Sequence, residues 1–76
     1  MTKTTIKLNT FGDVQEFVNC LMKFGFDIDL VSGRYIVDAK SIMGIYSLDL
    51  TKPIELQAHT DDAEELFAAI EKYIAK

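Results

Sequence analysis

The sequence predicts an α+β two-layer sandwich, a four-stranded antiparallel sheet covered on one face by three helices. Three observations carry this. Four short segments alternate apolar and polar residues, as half-buried strands do. Two longer segments repeat apolar residues at helical spacing. Their order is strand, helix, strand, strand, helix, strand, helix (βαββαβα). Strands and helices that each bury one face pack economically as one sheet under one helix layer.

The first strand is expected over residues 4–8, where Ile6 and Leu8 face one way and Thr5 and Lys7 the other. Asn9 or Thr10 then caps a helix running from about Phe11 to Phe24. Its apolar stripe is Phe11, Val14, Phe17, Val18, Leu21 and Met22, and Gly25 stops it with positive φ. Phe26, Ile28 and Leu30 alternate with Asp27 and Asp29 as the second strand, with the two carboxylates on a solvated face. Ser32-Gly33 turns the chain into a third strand, Arg34 to Asp38. A short helix follows near Ser41–Leu48, and Lys52-Pro53 is a loop, since proline removes a donor and restricts its predecessor. Ile54, Leu56 and Ala58 mark the fourth strand. The last helix starts at Thr60-Asp61-Asp62 with the stripe Ala63, Leu66, Phe67, Ile70, Tyr73 and Ile74. Acids at its start and Lys72 and Lys76 at its end suit the helix dipole.

With 76 residues the chain is expected to form a single domain, residues 1–76. Twelve acidic and eight scattered basic residues give a net charge of −4, which argues against a nucleic-acid surface. Cys20 is the one cysteine, so no internal disulfide can form; a structural thiol in a reducing, cytoplasmic setting is expected. No apolar run approaches the ~20 residues of a membrane span, and no signal peptide is expected. No His/Cys set stands at metal-ligand spacing, and no Ser-His-Asp set or glycine-rich phosphate loop is present. No catalytic site, cofactor, metal or small-molecule substrate is therefore expected.

The most informative stretch is Ala39-Lys40-Ser41-Ile42-Met43-Gly44-Ile45-Tyr46-Ser47-Leu48. It resembles the regulatory-serine region of HPr, the small phosphocarrier family of the bacterial sugar phosphotransferase system. Glu16-Phe17-Val18 in the first helix is similar to that family too, as are Asp61, Glu64 and Glu65 before the last. The resemblance implies an open-faced β-sandwich, protein partners and no enzymatic activity. The family's carrier site is a Gly-Leu-His-x-Arg-Pro-Ala motif at the start of the first helix. There a histidine takes the phosphoryl group, and the helix N-terminus and the arginine stabilise its charge. Counting back from Phe17-Val18, Thr10 stands at the histidine, Gly12 at the arginine and Asp13 at the proline.

Ser41 has two compatible readings. As a serine opening a helix it is an N-cap; by the resemblance it is a regulatory phosphosite. A catabolite-repression paralogue of the family also lacks the histidine and keeps the serine. Ile42, Met43 and Tyr46 are either core or, as the resemblance implies, a partner-binding patch, with Met43 expected to be exposed. His59 is either a surface or capping residue or a replacement phosphoacceptor. Three functions follow: a non-carrier regulatory or accessory protein, a phosphocarrier using His59 or Thr10, or an unrelated interaction module on the same fold.

Overall fold

The computed structural model describes residues 1–75. Strand β1 (Thr2–Ile6), helix α1 (Phe11–Leu21), strands β2 (Ile28–Ser32) and β3 (Tyr35–Asp38), helix α2 (Ile42–Tyr46), strand β4 (Ile54–Ala58) and helix α3 (Glu64–Ala69) follow in that order. A 3₁₀ turn over Glu71–Tyr73 closes the chain. The four strands form one antiparallel sheet in the order β1-β4-β2-β3. The expected α+β arrangement is the observed one.

The core lies between the sheet and the helices. Ile6, Ile28, Leu30, Ile54, Leu56 and Ala58 come from the sheet, Val14, Phe17, Val18 and Leu21 from α1, and Leu66 from α3. Phe17 meets the Tyr73 ring edge-on, centroids 5.8 Å apart. The register sets Val31 against Ile36 and Glu55 on the opposite, open face of the sheet. Gly33, at φ 59°, makes the β2–β3 turn, a left-handed conformation that glycine adopts at little cost.

Several boundaries differ from expectation. β1 lies two residues earlier: it pairs with β4 only from Thr2 to Ile6, and beyond that Lys7 N–H turns to Tyr73 O of the C-terminal segment. Leu8 is nevertheless buried beyond the strand end. α1 ends at Leu21, where Met22 caps it in αR geometry and Phe24 N–H turns back to Leu21 O. Gly25 does not take positive φ; Gly33 alone does among the described residues. Phe24 leaves the helix to pack on Phe26, centroids 5.7 Å apart. β2 starts at Ile28 instead of Phe26 and runs on to Ser32, and Arg34 lies in the turn. α2 spans five residues, with Ser41 outside it as the cap.

The last helix is broken. Thr60 and Asp62 form local side-chain turns ahead of it, and Ala63 provides no side-chain cap. After Ile70 the chain tightens and then extends, so Ile74 is no stripe residue but bridges Ile6 on the outer edge of β1. Lys72 sits in the 3₁₀ turn; Lys76 lies outside the described residues.

Glu16 on α1 ties this C-terminal turn down. Its carboxylate accepts from Lys72 Nζ at 3.1 Å and from the Tyr73 hydroxyl at 3.0 Å. Those two donors, Lys72 first, hold the Glu16 carboxyl below its ordinary range. Burial, then the carboxylate, raises the Tyr73 phenol. A depressed carboxyl pKa stabilises the fold above the unfolded value, near ~4.3, and that contribution disappears as pH falls. Urea melts of Glu16→Gln against wild type should show a stability gap at pH 6 that narrows below about pH 4. A gap independent of pH would mean that the ion pair contributes nothing.

Candidate functional site

The corner where a carrier site would stand is made by the start of α1 and the length of α2. Thr10 is the N-cap of α1, in extended geometry, with its Oγ1 accepting from Asp13 N–H at 3.0 Å. Asp13 answers, its Oδ2 accepting from Thr10 N–H at 3.2 Å and from Asn9 N–H at 3.0 Å. This reciprocal capping box satisfies donors that a helix start otherwise leaves open. It also places a fixed carboxylate on amides at the helix start, the place an incoming anion would have to use.

α2 begins at the resembling stretch. Ser41 is half-buried and its Oγ accepts from Gly44 N–H at 3.1 Å, so the expected N-cap is formed. Gly44 sits in a tight place: a Cβ there would stand 3.3 Å from both Ser41 Oγ and Val37 Cβ, so either neighbour would have to give by a few tenths of an ångström. Lys40 has a role that local reading missed. Its Nζ donates to the carbonyls of Phe24, at 2.6 Å, and Phe26, at 3.1 Å, pinning the loop after α1. The signal is a cation followed by a helix cap, but its acceptors lie more than a dozen residues away.

The contact residues separate. Met43 is 79% exposed, whereas Ile42 and Tyr46 are half-buried against the core. Tyr46 stacks on Phe11, with centroids 5.1 Å apart and planes 19° off parallel. Phe11 is 62% exposed, which corrects its assignment to the core stripe of α1; Met22, at the other end of that stripe, is exposed as well. Helical spacing puts Phe11 on the stripe, but as the first helical residue it sits against α2 instead of over the sheet. The Tyr46 hydroxyl is buried with no hydrogen-bond partner among the described residues, and burial raises its pKa. Phe11 and Tyr46 thus make one apolar contact between α1 and α2, with Ile42 and the exposed Met43 on the same short helix as Tyr46.

His59 is elsewhere. The β1–β4 register sets Ala58 against Thr2 and Ile54 against Ile6, so His59 follows the sheet end opposite to the start of α1. It is exposed, and its Nε2 lies 2.8 Å from Asp29 Oδ2. The carboxylate it meets is therefore Asp29's; Asp61, its closer neighbour in sequence, faces the N-terminal ammonium at 3.5 Å. Asp27 lies outside β2 and uses its carbonyl to accept from His59 N–H. Cys20 is half-buried, a free thiol on α1. Among the described residues no group of His, Cys, Asp and Glu could hold a metal ion, and no helix is long and apolar enough to cross a membrane.

A β1-β4-β2-β3 antiparallel sheet under three helices, with α1 and α2 meeting at one corner, defines a class: the open-faced sandwich of small phosphocarrier proteins. Comparison with known proteins agrees. Residues 13–76 match the family described as PTS HPr component phosphorylation site. The crystal structure of HPr-C-His from Thermoanaerobacter tengcongensis is similar at 32% identity and TM-score 0.78, covering 95% of this chain and 89% of that one. The phosphocarrier protein HPr from Bacillus anthracis str. Ames is similar at 26% identity and TM-score 0.73, covering 97% and 96%. The chain belongs to the HPr family, whose members are phosphocarrier proteins and not enzymes, and whose partners are proteins of the phosphotransferase system. The family match begins at Asp13, just beyond Thr10.

Proposed function

We propose that this chain is a non-carrier HPr-family protein, a cytoplasmic regulatory or accessory component of the phosphoenolpyruvate-dependent sugar phosphotransferase system that acts by binding. The observation that carries the reading is the Thr10–Asp13 capping box. It leaves no imidazole at the start of α1 and puts the Asp13 carboxylate on the amides of Asn9 and Thr10. A phosphoryl dianion there would meet negative charge in place of a guanidinium. The test is incubation with phosphoenolpyruvate and the system's first enzyme, followed by detection of acid-labile phosphate. No incorporation is expected. Stoichiometric labelling abolished by His59→Ala would instead establish a carrier with a displaced histidine.

Binding runs through Met43, Ile42 and Tyr46, extended by Phe11, and Ser41 is its switch. Ser41 is half-buried as a residue, and Met43 two positions on is exposed. A phosphate on Ser41 adds charge next to this apolar surface while the Lys40 ammonium stays engaged with the Phe24 and Phe26 carbonyls. It would act by attracting a partner's arginine or repelling an acidic one. Ser41→Asp is accordingly expected to change partner affinity with the fold intact, read by titration calorimetry and circular dichroism. Ser41→Ala should cost about 0.5–2 kcal/mol of stability through the lost cap and leave affinity for the unmodified form unchanged. Equal affinities for wild type and Ser41→Asp would remove the switch.

A further inference from the structure

The two edges of the sheet are finished differently. The outer edge of β1 is covered by the C-terminal segment: Lys7 N–H donates to Tyr73 O at 2.7 Å, Ala75 N–H to Thr5 O at 2.8 Å, and Ile6 bridges Ile74. The outer edge of β3 has no strand beside it among the described residues. Natural edges are usually blunted with lysine, proline or a bulge. Tyr35-Ile36-Val37-Asp38 contains neither lysine nor proline, and its pairing with β2 is unbroken in register. Instead it shows two large apolar side chains, Tyr35 at 66% and Ile36 at 67% exposure.

The backbone parity is known. Ala39 N–H donates to Ile28 O, on the β2 side. Hydrogen-bonding direction alternates along a strand, so Val37 and Tyr35 also point toward β2, and Ile36 and Asp38 point outward. Ile36 offers both its N–H and its C=O. Asp38 offers its N–H, its carbonyl already accepting from Ser41 N–H at 3.0 Å.

We propose that this edge pairs antiparallel with the same strand of a second copy, about a two-fold axis through Ile36. The segment Arg34-Tyr35-Ile36-Val37-Asp38 is complementary to itself in that register. Ile36 faces Ile36 of the second copy, Tyr35 faces Val37, and Arg34 faces Asp38 on both sides of the axis. An isologous contact repeats each pair twice, and aromatic–β-branched and opposite-charge pairs are favourable directly across strands. Moving the axis to Tyr35 or Val37 sets Arg34 or Asp38 opposite Ile36 and loses both ion pairs. The product is an eight-stranded sheet with both helix layers on one side. The four positions Val31, Ile36 and their symmetry mates then form a continuous apolar row on the open face. The contact is one strand wide, so the association is weak and concentration-dependent.

The test is sedimentation velocity together with ¹H–¹⁵N spectra over a concentration series to ~1 mM, the range of weak contacts, with the −4 charge screened at ~0.15 M salt. The mass should rise toward twice the monomer's. Concentration-dependent amide shifts should be larger at Ile36 and Asp38 than at Tyr35 and Val37. Ile36→Lys should keep the monomer's spectrum and abolish the mass increase. Arg34→Asp and Asp38→Arg should each stay monomeric alone and associate when mixed one to one. A monomer mass at every concentration overturns the proposal. So does association that survives Ile36→Lys, or shifts centred on β1 or on Phe11, Met43 and Tyr46.

Discussion

Phe17→Ala is expected to lower the melting temperature by more than about 12 °C. Phe17 is fully buried and packs edge-on against Tyr73, so one ring joins α1 to the C-terminal turn. Truncating a buried phenylalanine costs about 3–5 kcal/mol, because the lost transfer energy is compounded by a cavity that the surroundings only partly fill. Each kcal/mol moves the midpoint by about 4–8 °C in a domain of this size. A small chain has a total stability of roughly 4–11 kcal/mol, at ~0.05–0.15 kcal/mol per residue. The variant therefore sits near the edge of folding. Met22→Ala, at the C-cap of the same helix and exposed, should change stability by less than about 0.5 kcal/mol. Thermal melts by circular dichroism compare the two; similar shifts would show that the core is not centred on Phe17.

The contrast between Phe17 and Met22 also shows how far a local pattern reaches. Both lie on the apolar stripe by spacing, and spacing cannot say where the underlying sheet ends. The same ambiguity hid Phe11, which hangs over α2 and partly covers Tyr46. β4 was legible because Pro53 marks its start and Ala58 is its last apolar position before the polar run His59-Thr60-Asp61-Asp62. β1 was not, because Ile6 and Leu8 alternate equally well on either side of the point where β4 runs out. Ile74 continued a helical stripe in sequence but was drawn off by an open strand edge, a contact 68 positions away along the chain. Long-range partners explain the remaining misses. Lys40 reaches two carbonyls after α1, and His59 finds Asp29 across the sheet. Ser41 and Thr10, by contrast, act through groups three residues on, and their caps could be read directly.

That locality makes the start of α1 open to redesign. Thr10→His combined with Gly12→Arg and Asp13→Pro is expected to take up acid-labile phosphate from the system's first enzyme, where the wild-type chain is expected to take up none. Thr10→His alone should do little. It supplies a nucleophile but leaves the Asp13 carboxylate on the Asn9 amide, where it repels the phosphoryl group and occupies a donor that would stabilise it. Asp13→Pro removes that charge, and proline is tolerated in the first turn because its missing N–H has no partner within the helix. Gly12 is exposed, and a Cβ there would have Thr10 Oγ1 as its nearest neighbour at 3.7 Å, an ordinary contact, so an arginine fits without displacing the backbone. The loss of the capping box should cost about 0.5–2 kcal/mol, which the fold can bear. Labelling should rise in steps from the single to the double to the triple variant. A folded triple variant that stays unlabelled would show that the block lies outside these three positions, in the surface made by Phe11, Met43 and Tyr46 that the first enzyme would have to meet.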